Sequence, residues 1–487
     1  MAGLSKSRII MHRQCPKRLW LKTHKPELEM IDDGMAVGFS TGDVVGDKAR
    51  QLYPDGVLID PPSLSEALAQ TQAHLKESSK PLFEATFEHK GTLIRADLLL
   101  PDEHGWRLVE VKSSTSVKPY HLEDAAVQAY VLAQNKIPIS RIEIAHIDNQ
   151  FIYRGDNNYQ GLLKHQIETK TVNTLAQQVP DWIVQAQQTV ALKKEPVIAV
   201  GNQCNEPFGC SFRHYCDPQA FEPVPVTSPK VLPRGGNYVQ QLIDAGTNDL
   251  TLLSESDLPK ALYQRIWRTL KTGQAELDPQ AKAIINALPY PYCHIDFETI
   301  NLAIPVWAGT RPYQQVPFQW SCHIQTPDTI SHHAFLGDGL SDPRRDFTES
   351  LLATLGTSGT IFVYNAAFEK TRLQEMAQAF PEHKAAIDSL MPRIFDLLPL
   401  MRSHYYHPDM KGSWSIKTVL PTIAPDLSYK ALTVGHGGAA MEAFAEMMKA
   451  ETTQERRAEL YQALLDYCEL DTMAMVRIVN YLKEVMK

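Results

Sequence analysis

Between residues 221 and 236 the chain reads FEPVPVTSPKVLPRGG, four prolines and a glycine pair that no helix or strand can run through. A break of this kind in a chain of 487 residues divides it into separately packed parts, because a length about three times that of an ordinary domain already calls for more than one core. Upstream lies a strand-rich hairpin followed by helical patterns. Downstream, residues 237–287 carry helical periodicity with few β-branched residues. From about Pro289 short apolar strands such as YCHIDFETI and TIFVYNAAF alternate with helices, the pattern of an α/β layer. The expected parts are therefore 1–220, a linker and helical connector over 221–288, and 289–487. No internal repeat or low-complexity tract interrupts them.

Net charge is −8, which argues against a protein that binds nucleic acid through its overall charge, although a local basic stretch such as HRQCPKRLWLKTHK can still contact phosphates. No segment offers ~18 consecutive apolar residues, and the opening MAGLSKSRII has no long apolar run after its basic residues, so a cytoplasmic protein without a membrane partner is expected. Seven cysteines, an odd number in a long chain, speak for reduced thiols rather than a disulfide framework.

In GTLIRADLLLPDEHGWRLVEVKSS two strand-like runs flank the turn PDEHG, placing Asp97 on one strand and Glu110 and Lys112 on the next. Residues two apart on a strand share a face, so Glu110 and Lys112 point the same way and Asp97 can lie beside them across an antiparallel pair. Two carboxylates can hold Mg²⁺, while a lysine can orient water and offset phosphate charge. Taken alone, E-x-K reads as a surface hairpin with an ion pair. The following KPYHLEDAAVQAYVLAQ is helical, with Asp124 and Gln128 four apart on one face.

This set resembles the PD-(D/E)XK nucleases of the RecB type. The resemblance implies a restriction-endonuclease-like α/β core in which Asp97 and Glu110 bind Mg²⁺ or Mn²⁺, Lys112 is catalytic and Gln128 positions the scissile strand. Tyr130 also fits the family's helix, Glu84 is a further candidate carboxylate, and Asp47 stands where many relatives carry His or Glu. One branch of RecB-like nucleases holds an iron–sulfur cluster with one cysteine before the core and three after it. Here Cys15 in CPKRLW precedes the core, and Cys204, Cys210 and Cys216 follow it at equal intervals. That likeness implies a [4Fe–4S] cluster stapling the domain's two ends; the alternative occupant of four thiolates is Zn²⁺. Cys293, Cys322 and Cys468, set in apolar runs, are expected in the core.

A second acidic set lies downstream. YCHIDFETI places Asp296 and Glu298 on one face of an otherwise apolar strand, and buried acids need a cation. IFVYNAAFEKTRL then runs from strand into helix with Asn365 and Glu369 four apart, and LLDYCELDTMAMVRI sets Tyr467 and Asp471 four apart on a helix. Four acids on three elements can hold two metal ions, with Tyr467 orienting the attacking water. The order D-x-E, acid, Y-x-x-x-D resembles the DnaQ-like DEDDy 3′–5′ exonucleases, and YCELD is similar to the third exonuclease motif of family B DNA polymerases. The resemblance implies an RNase H-like α/β domain. Glu369 departs from it, because Asp usually occupies that place, and the longer side chain puts full activity in doubt.

Asp396 matches an acid that follows the second motif in such folds, or else caps a helix. Ser415 and Lys417, at a helix start in GSWSIK, suit a phosphate contact or an ordinary cap. Trp307, Tyr313, Phe318 and Trp320 can stack bases or pack the sheet. His332, His333, His404 and His407 share no ligand spacing with the acids and receive no role. The whole reads as a nuclease of DNA, RNA being possible, with two nuclease domains in one chain. The alternative is a nucleic-acid-binding scaffold in which one or both sites are silent, or an RNA-processing exonuclease.

Overall fold

The hairpin predicted around PDEHG sets the first sheet. Strands β4 (Thr92–Asp102) and β5 (Gly105–Lys112) pair antiparallel, with Asp102 opposite Gly105 across a tight turn. Gly105 is required there: its φ is +134°, and a Cβ would lie 2.2 Å from the Pro138 carbonyl oxygen. In this computed structural model, which describes residues 4–31, 33–77 and 79–484, the chain is mixed α/β, about half helical, and divides into two compact units. Among the described residues no helix is long and apolar enough to cross a membrane.

The first unit comprises Met1–Glu222 and Leu302–Tyr313. Its sheet adds β1 (Leu4–Ser5), β2 (Val57–Leu58), β3 (Leu82–His89), β6 (Ile139–Ile147) and β7 (Leu163–Ile167) in the order β2-β3-β4-β5-β6-β7, with β1 pairing parallel to β4. Strands β5 and β6 run parallel, so the chain must cross over between them, and the helix Pro119–Gln134 makes that crossing. Ala125, Ala126, Val127, Val131 and Leu132 bury its inner face against Leu99, Leu108, Ile142 and Ile144.

The second unit comprises Pro223–Asn301 and Gln314–Lys487. Its main sheet orders β11 (Ile330–Leu336), β10 (Val316–Gln325), β9 (Tyr292–Ile300), β12 (Thr360–Val363) and β13 (Ile394–Asp396) side by side. The first three are antiparallel and the last two join in parallel. Helix Gln454–Glu484 is the longest element and buries Leu464, Cys468, Met475 and Val479.

Two segments differ from the expectation. The connector is no independent spacer: Val231, Leu232, Leu250, Tyr263 and Ile266 pack in one core with Tyr292, Phe362, Tyr405 and Met475, and its short strand β8 (Glu276–Leu277) pairs with β14 (Tyr405–Tyr406). Apolar residues at helical spacing predicted helices correctly but carried no sign of which core they would join. Residues 302–313, which connect β9 to β10 in sequence, belong to the first unit. Gly309 N–H donates to the Tyr153 carbonyl at 2.7 Å, Tyr153 N–H to that of Thr310 at 3.0 Å, and the Tyr159 hydroxyl to that of Pro305 at 3.0 Å. Trp307 is buried, and the Tyr313 hydroxyl is bonded to the Ser113 carbonyl. Phe318 and Trp320 are buried in the second unit, so none of these four aromatics is a free stacking platform.

Candidate metal and cluster sites

In the first unit Asp97, Glu110 and Lys112 line one cleft together with Lys6, Asp47, Arg50 and Glu84. Glu110 is 1% exposed, and two ammonium groups share its Oε1: Lys112 at 2.7 Å and Lys6 at 2.8 Å. Gln128, buried on the crossover helix, donates to Oε2. Burial alone would raise the Glu110 pKa, but the charges of Lys112 and Lys6 and their hydrogen bonds outweigh it and hold the carboxyl well below its usual range. Burial likewise opposes charge on both lysines, yet Glu110, Asp124 and Asp97 keep them firmly protonated. Lys112 also bonds Asp124 at 2.6 Å. Asp97 accepts the Val111 N–H at 2.8 Å, and burial followed by the Glu110 charge pushes its pKa up to about 7.

Asp47 is exposed and pairs with Arg50, which lies 3.5 Å from Glu84. Glu84 has φ +55° at an interruption of the β3–β4 register opposite Asp97, and burial raises its pKa despite Arg50. Lys6 was not among the residues singled out from sequence. It stands 104 positions from its partner in an unremarkable stretch, and is brought there by the pairing of β1 with β4.

The four cysteines Cys15, Cys204, Cys210 and Cys216 line one small cavity, with Lys17 and Arg18 beside them. Cys15 ends helix Lys6–Gln14 and starts helix Pro16–His24. The Gln14 amide donates to the carbonyls of Gln203 at 2.8 Å and Phe208 at 2.7 Å, fastening that helix to the distant cysteine loop. Trp20, Leu21 and Phe212 pack behind Cys210 and Cys216. Burial raises the Cys210 and Cys216 thiols; each also feels the neighbouring cysteines, while Lys17 favours the Cys216 thiolate. Four sulfur donors with cations alongside are the donor chemistry of a thiolate-bound cluster or of zinc, although no three of these sulfurs lie within 4.8 Å of one another.

In the second unit Asp296 and Glu298 extend from β9, and Asp471 from the long helix, to bring one oxygen each within 4.8 Å of one another. Glu369 enters the same cleft from the first turn of helix Ala367–Ala379; it is buried, and its Oε2 has no hydrogen-bond partner. Burial pushes Glu369 up to about 8. Burial and Asp471 do the same to Glu298, and burial with Asp471, Glu298 and Glu369 drives Asp296 well above the carboxylate range. Asp471 is also raised by burial, against the opposing effects of Tyr429 and Lys417. Like charges held this close in low dielectric call for a cation, and an orphaned buried carboxylate oxygen is a free ligand atom.

Tyr467 lines this cleft with its hydroxyl 3.3 Å from Lys417 Nζ, which in turn donates to the Gly435 carbonyl at 2.7 Å. Burial, then Asp471, Glu298 and Asp296, raise the Tyr467 phenol, so it stays a proton donor. Tyr429, given no role from sequence, donates to Asp471 Oδ1 at 2.6 Å. Lys417 thus serves the acid cleft. Asp396 is a cap: its carboxylate accepts from Leu398 N at the start of a helix and from Asn365 and Ala366 N at 3.0 and 2.9 Å. Cys293 and Cys322 are buried, as is Cys468, whose sulfur also lies 3.8 Å from the Asp296 carboxylate.

Residues 293–415 match the family described as Domain of unknown function (DUF2779), a span that holds Asp296, Glu298 and Glu369 but stops short of Tyr467 and Asp471. The chain is similar to "Uncharacterized protein UU173" of Ureaplasma parvum serovar 3, at 25% identity over 244 residues, 46% of this chain and 35% of that protein. It is also similar to "Uncharacterized protein MG366 homolog" of Mycoplasma pneumoniae, at 27% over 243 residues, 46% and 36% of the two chains. A third relative, "Uncharacterized protein MG366" of Mycoplasma genitalium, is 26% identical over 223 residues, 42% and 33% of the two. The matched part of the chain spans about a third of the length of these curated relatives.

Proposed function

We propose that this protein is a metal-dependent nuclease that hydrolyses phosphodiester bonds of DNA, with a DEDDy-type 3′–5′ exonuclease site in the second unit and a RecB-like PD-(D/E)XK site in the first. The observation that carries the reading is the trio of half-buried Asp296 with buried Glu298 and Asp471, whose donor atoms lie within 4.8 Å of one another. A sheet ordered third, second, first, fourth, fifth with the last two strands parallel supports an RNase H-like layer under that trio. Asp296, Glu298, Asp471 and Glu369 would hold Mg²⁺ or Mn²⁺, as would Asp97 and Glu110 in the first unit. Bound there, the metal supplies water activation and stabilisation of the leaving oxygen. Tyr467, kept protonated and fixed by Lys417, orients the attacking water, while Tyr429 sets the rotamer of Asp471. In the first unit Gln128 holds Glu110, and Lys112 faces the substrate phosphate. Cys15, Cys204, Cys210 and Cys216 would bind a [4Fe–4S] cluster, or Zn²⁺ in its place.

One observation favours a second reading for the first unit alone. Glu110 is already compensated by two lysines, so its need for a cation is weaker than that of the acid trio. A binding platform without hydrolysis would look the same. The test is degradation of end-labelled single- and double-stranded DNA and RNA with Mg²⁺ or Mn²⁺ by wild type, Lys112→Ala and Asp296→Asn. Loss of distinct products in the two variants supports two working sites, and loss in Asp296→Asn alone supports the platform. Absence of cutting by wild type would sink the nuclease reading.

A further inference from the structure

The second unit holds a cleft of about 740 Å³ that the acid cluster does not fill. Its charged lining among the described residues is cationic throughout: Arg234 and Lys260 come from the connector and Arg402 from the helix Leu397–His404, with no described Asp or Glu beside them. All three cations are exposed, in a chain whose net charge is −8. Of the aromatics at the cleft, Tyr364 is half-buried, and Tyr263 and Trp414 are buried behind the wall.

The walls are fixed. Lys260 Nζ lies 3.1 Å from the Tyr263 hydroxyl and 4.8 Å from the ring centroid, and the Tyr364 hydroxyl donates to the Trp414 carbonyl at 2.7 Å. Gly412, at φ +79°, lets the connector close in: a Cβ there would sit 1.8 Å from the Val231 carbonyl oxygen. The cleft is also continuous with the site of the carboxylates, because Tyr364, Asn365 and Ile416 line both.

We infer that this cleft is the bed of a single-stranded polynucleotide, whose end reaches Asp296 and its neighbours, and that the connector is a substrate-binding element. The substrate class rests on the hydrolytic reading of the acid cluster. A cationic groove is the chemistry that tracks a phosphate backbone without reading sequence. An acid cluster by itself repels that backbone, so a strand entering it needs cations placed just upstream, where Arg234, Lys260 and Arg402 stand.

Lysine acetylation of the full-length protein, mapped by mass spectrometry in EDTA, tests this with oligo(dT), oligo(rU) and thymidine monophosphate as probes. Lys260 is expected to be protected severalfold by a saturating oligonucleotide and not by the mononucleotide; the two oligonucleotides distinguish DNA from RNA. Arg234→Glu with Lys260→Glu should flatten the dependence of log affinity on log salt by about 0.7 for each cation lost. Equal acetylation of Lys260 with and without either oligonucleotide overturns the strand bed, as does equal protection by the mononucleotide. Protection of Lys260 in a protein that degrades nothing when metal is added keeps the bed and removes the hydrolytic site. Asp296-dependent degradation with Lys260 unprotected does the reverse.

Discussion

Lys6 Nζ stands 2.8 Å from Glu110 Oε1 and shares that oxygen with Lys112. The pairing ties the first strand of the chain to the middle of its sheet through a buried charge, and removing one cation leaves the carboxylate under-compensated. Lys6→Met should destabilise the first unit by about 1–3 kcal/mol. A double-mutant cycle with Glu110→Gln, followed by urea denaturation, should show the two losses to be far from additive. Additivity would mean that the pair carries no coupling.

The cysteine cavity makes a prediction about colour and stability together. Protein purified without oxygen should be brown and contain iron and sulfide, and Cys15→Ser should lose both while lowering the unfolding temperature of the first unit only. A colourless protein with one equivalent of zinc would instead assign the four thiols to that metal.

Glu369 offers a test that needs no substrate. Burial raises its carboxyl to about 8, so uncharged Glu369→Gln, which avoids the cost of protonating it, should stabilise the metal-free second unit by about 1–3 kcal/mol at neutral pH. Mn²⁺ at a hundred times its dissociation constant should stabilise wild type by about 2.7 kcal/mol and the variant by less. Calorimetry with and without the ion measures both, and a metal response unaltered by Glu369→Gln would exclude this residue as a ligand.

Much of the local structure was legible in the sequence, and the reason lies in its periodicity. The alternation of TLIRADLLLPD and GWRLVEVK shows a hairpin, and the spacing of Tyr467 and Asp471 shows a shared helix face. What could not be read was contact between segments far apart. Lys6 on Glu110, Tyr429 on Asp471 and the connector's place in the second core each depend on long-range packing that no local pattern encodes. The four cysteines could be proposed together only through the resemblance to iron–sulfur RecB-like nucleases, which carry one cysteine before the core and three after it.

His323 is buried on β10, bonded to Thr472 at 2.8 Å, and burial followed by the charges of His332 and His333 lowers its pKa to about 4. An unfolded histidine titrates near ~6.5, so the unfolded state takes up a proton first as pH falls. The stability that neutral His323 gives the second unit is therefore lost between pH ~6.5 and about 4, against the raised carboxyls of Glu298 and Glu369, which favour the folded state as pH falls. His323→Gln should shift the slope in that window toward greater stability at low pH; an unchanged slope would show that the imidazole is not the group responsible.

Asp396 holds the Asn365 turn, where φ is +85°, and caps the following helix. Asp396→Ala strands three N–H groups and should cost about 2–3 kcal/mol, with a fall in Asp296-dependent activity as the helix carrying Glu369 loosens. Asn365→Gly, which suits the same backbone, should be close to neutral in thermal unfolding.

The assignment of residues 302–313 to the first unit bears on how this protein can be dissected. The backbone passes from one unit to the other three times, after residues 222, 301 and 313, so no single scission yields two complete pieces. A fragment ending at 222 would lack the strip that covers Tyr153 and Tyr159, and one starting at 223 would carry Ala303, Ile304 and Trp307 with nothing left to bury them. Mutations in those twelve residues would register as damage to the unit encoded earlier in the gene, and a genetic map drawn on linear order would assign them to the wrong unit.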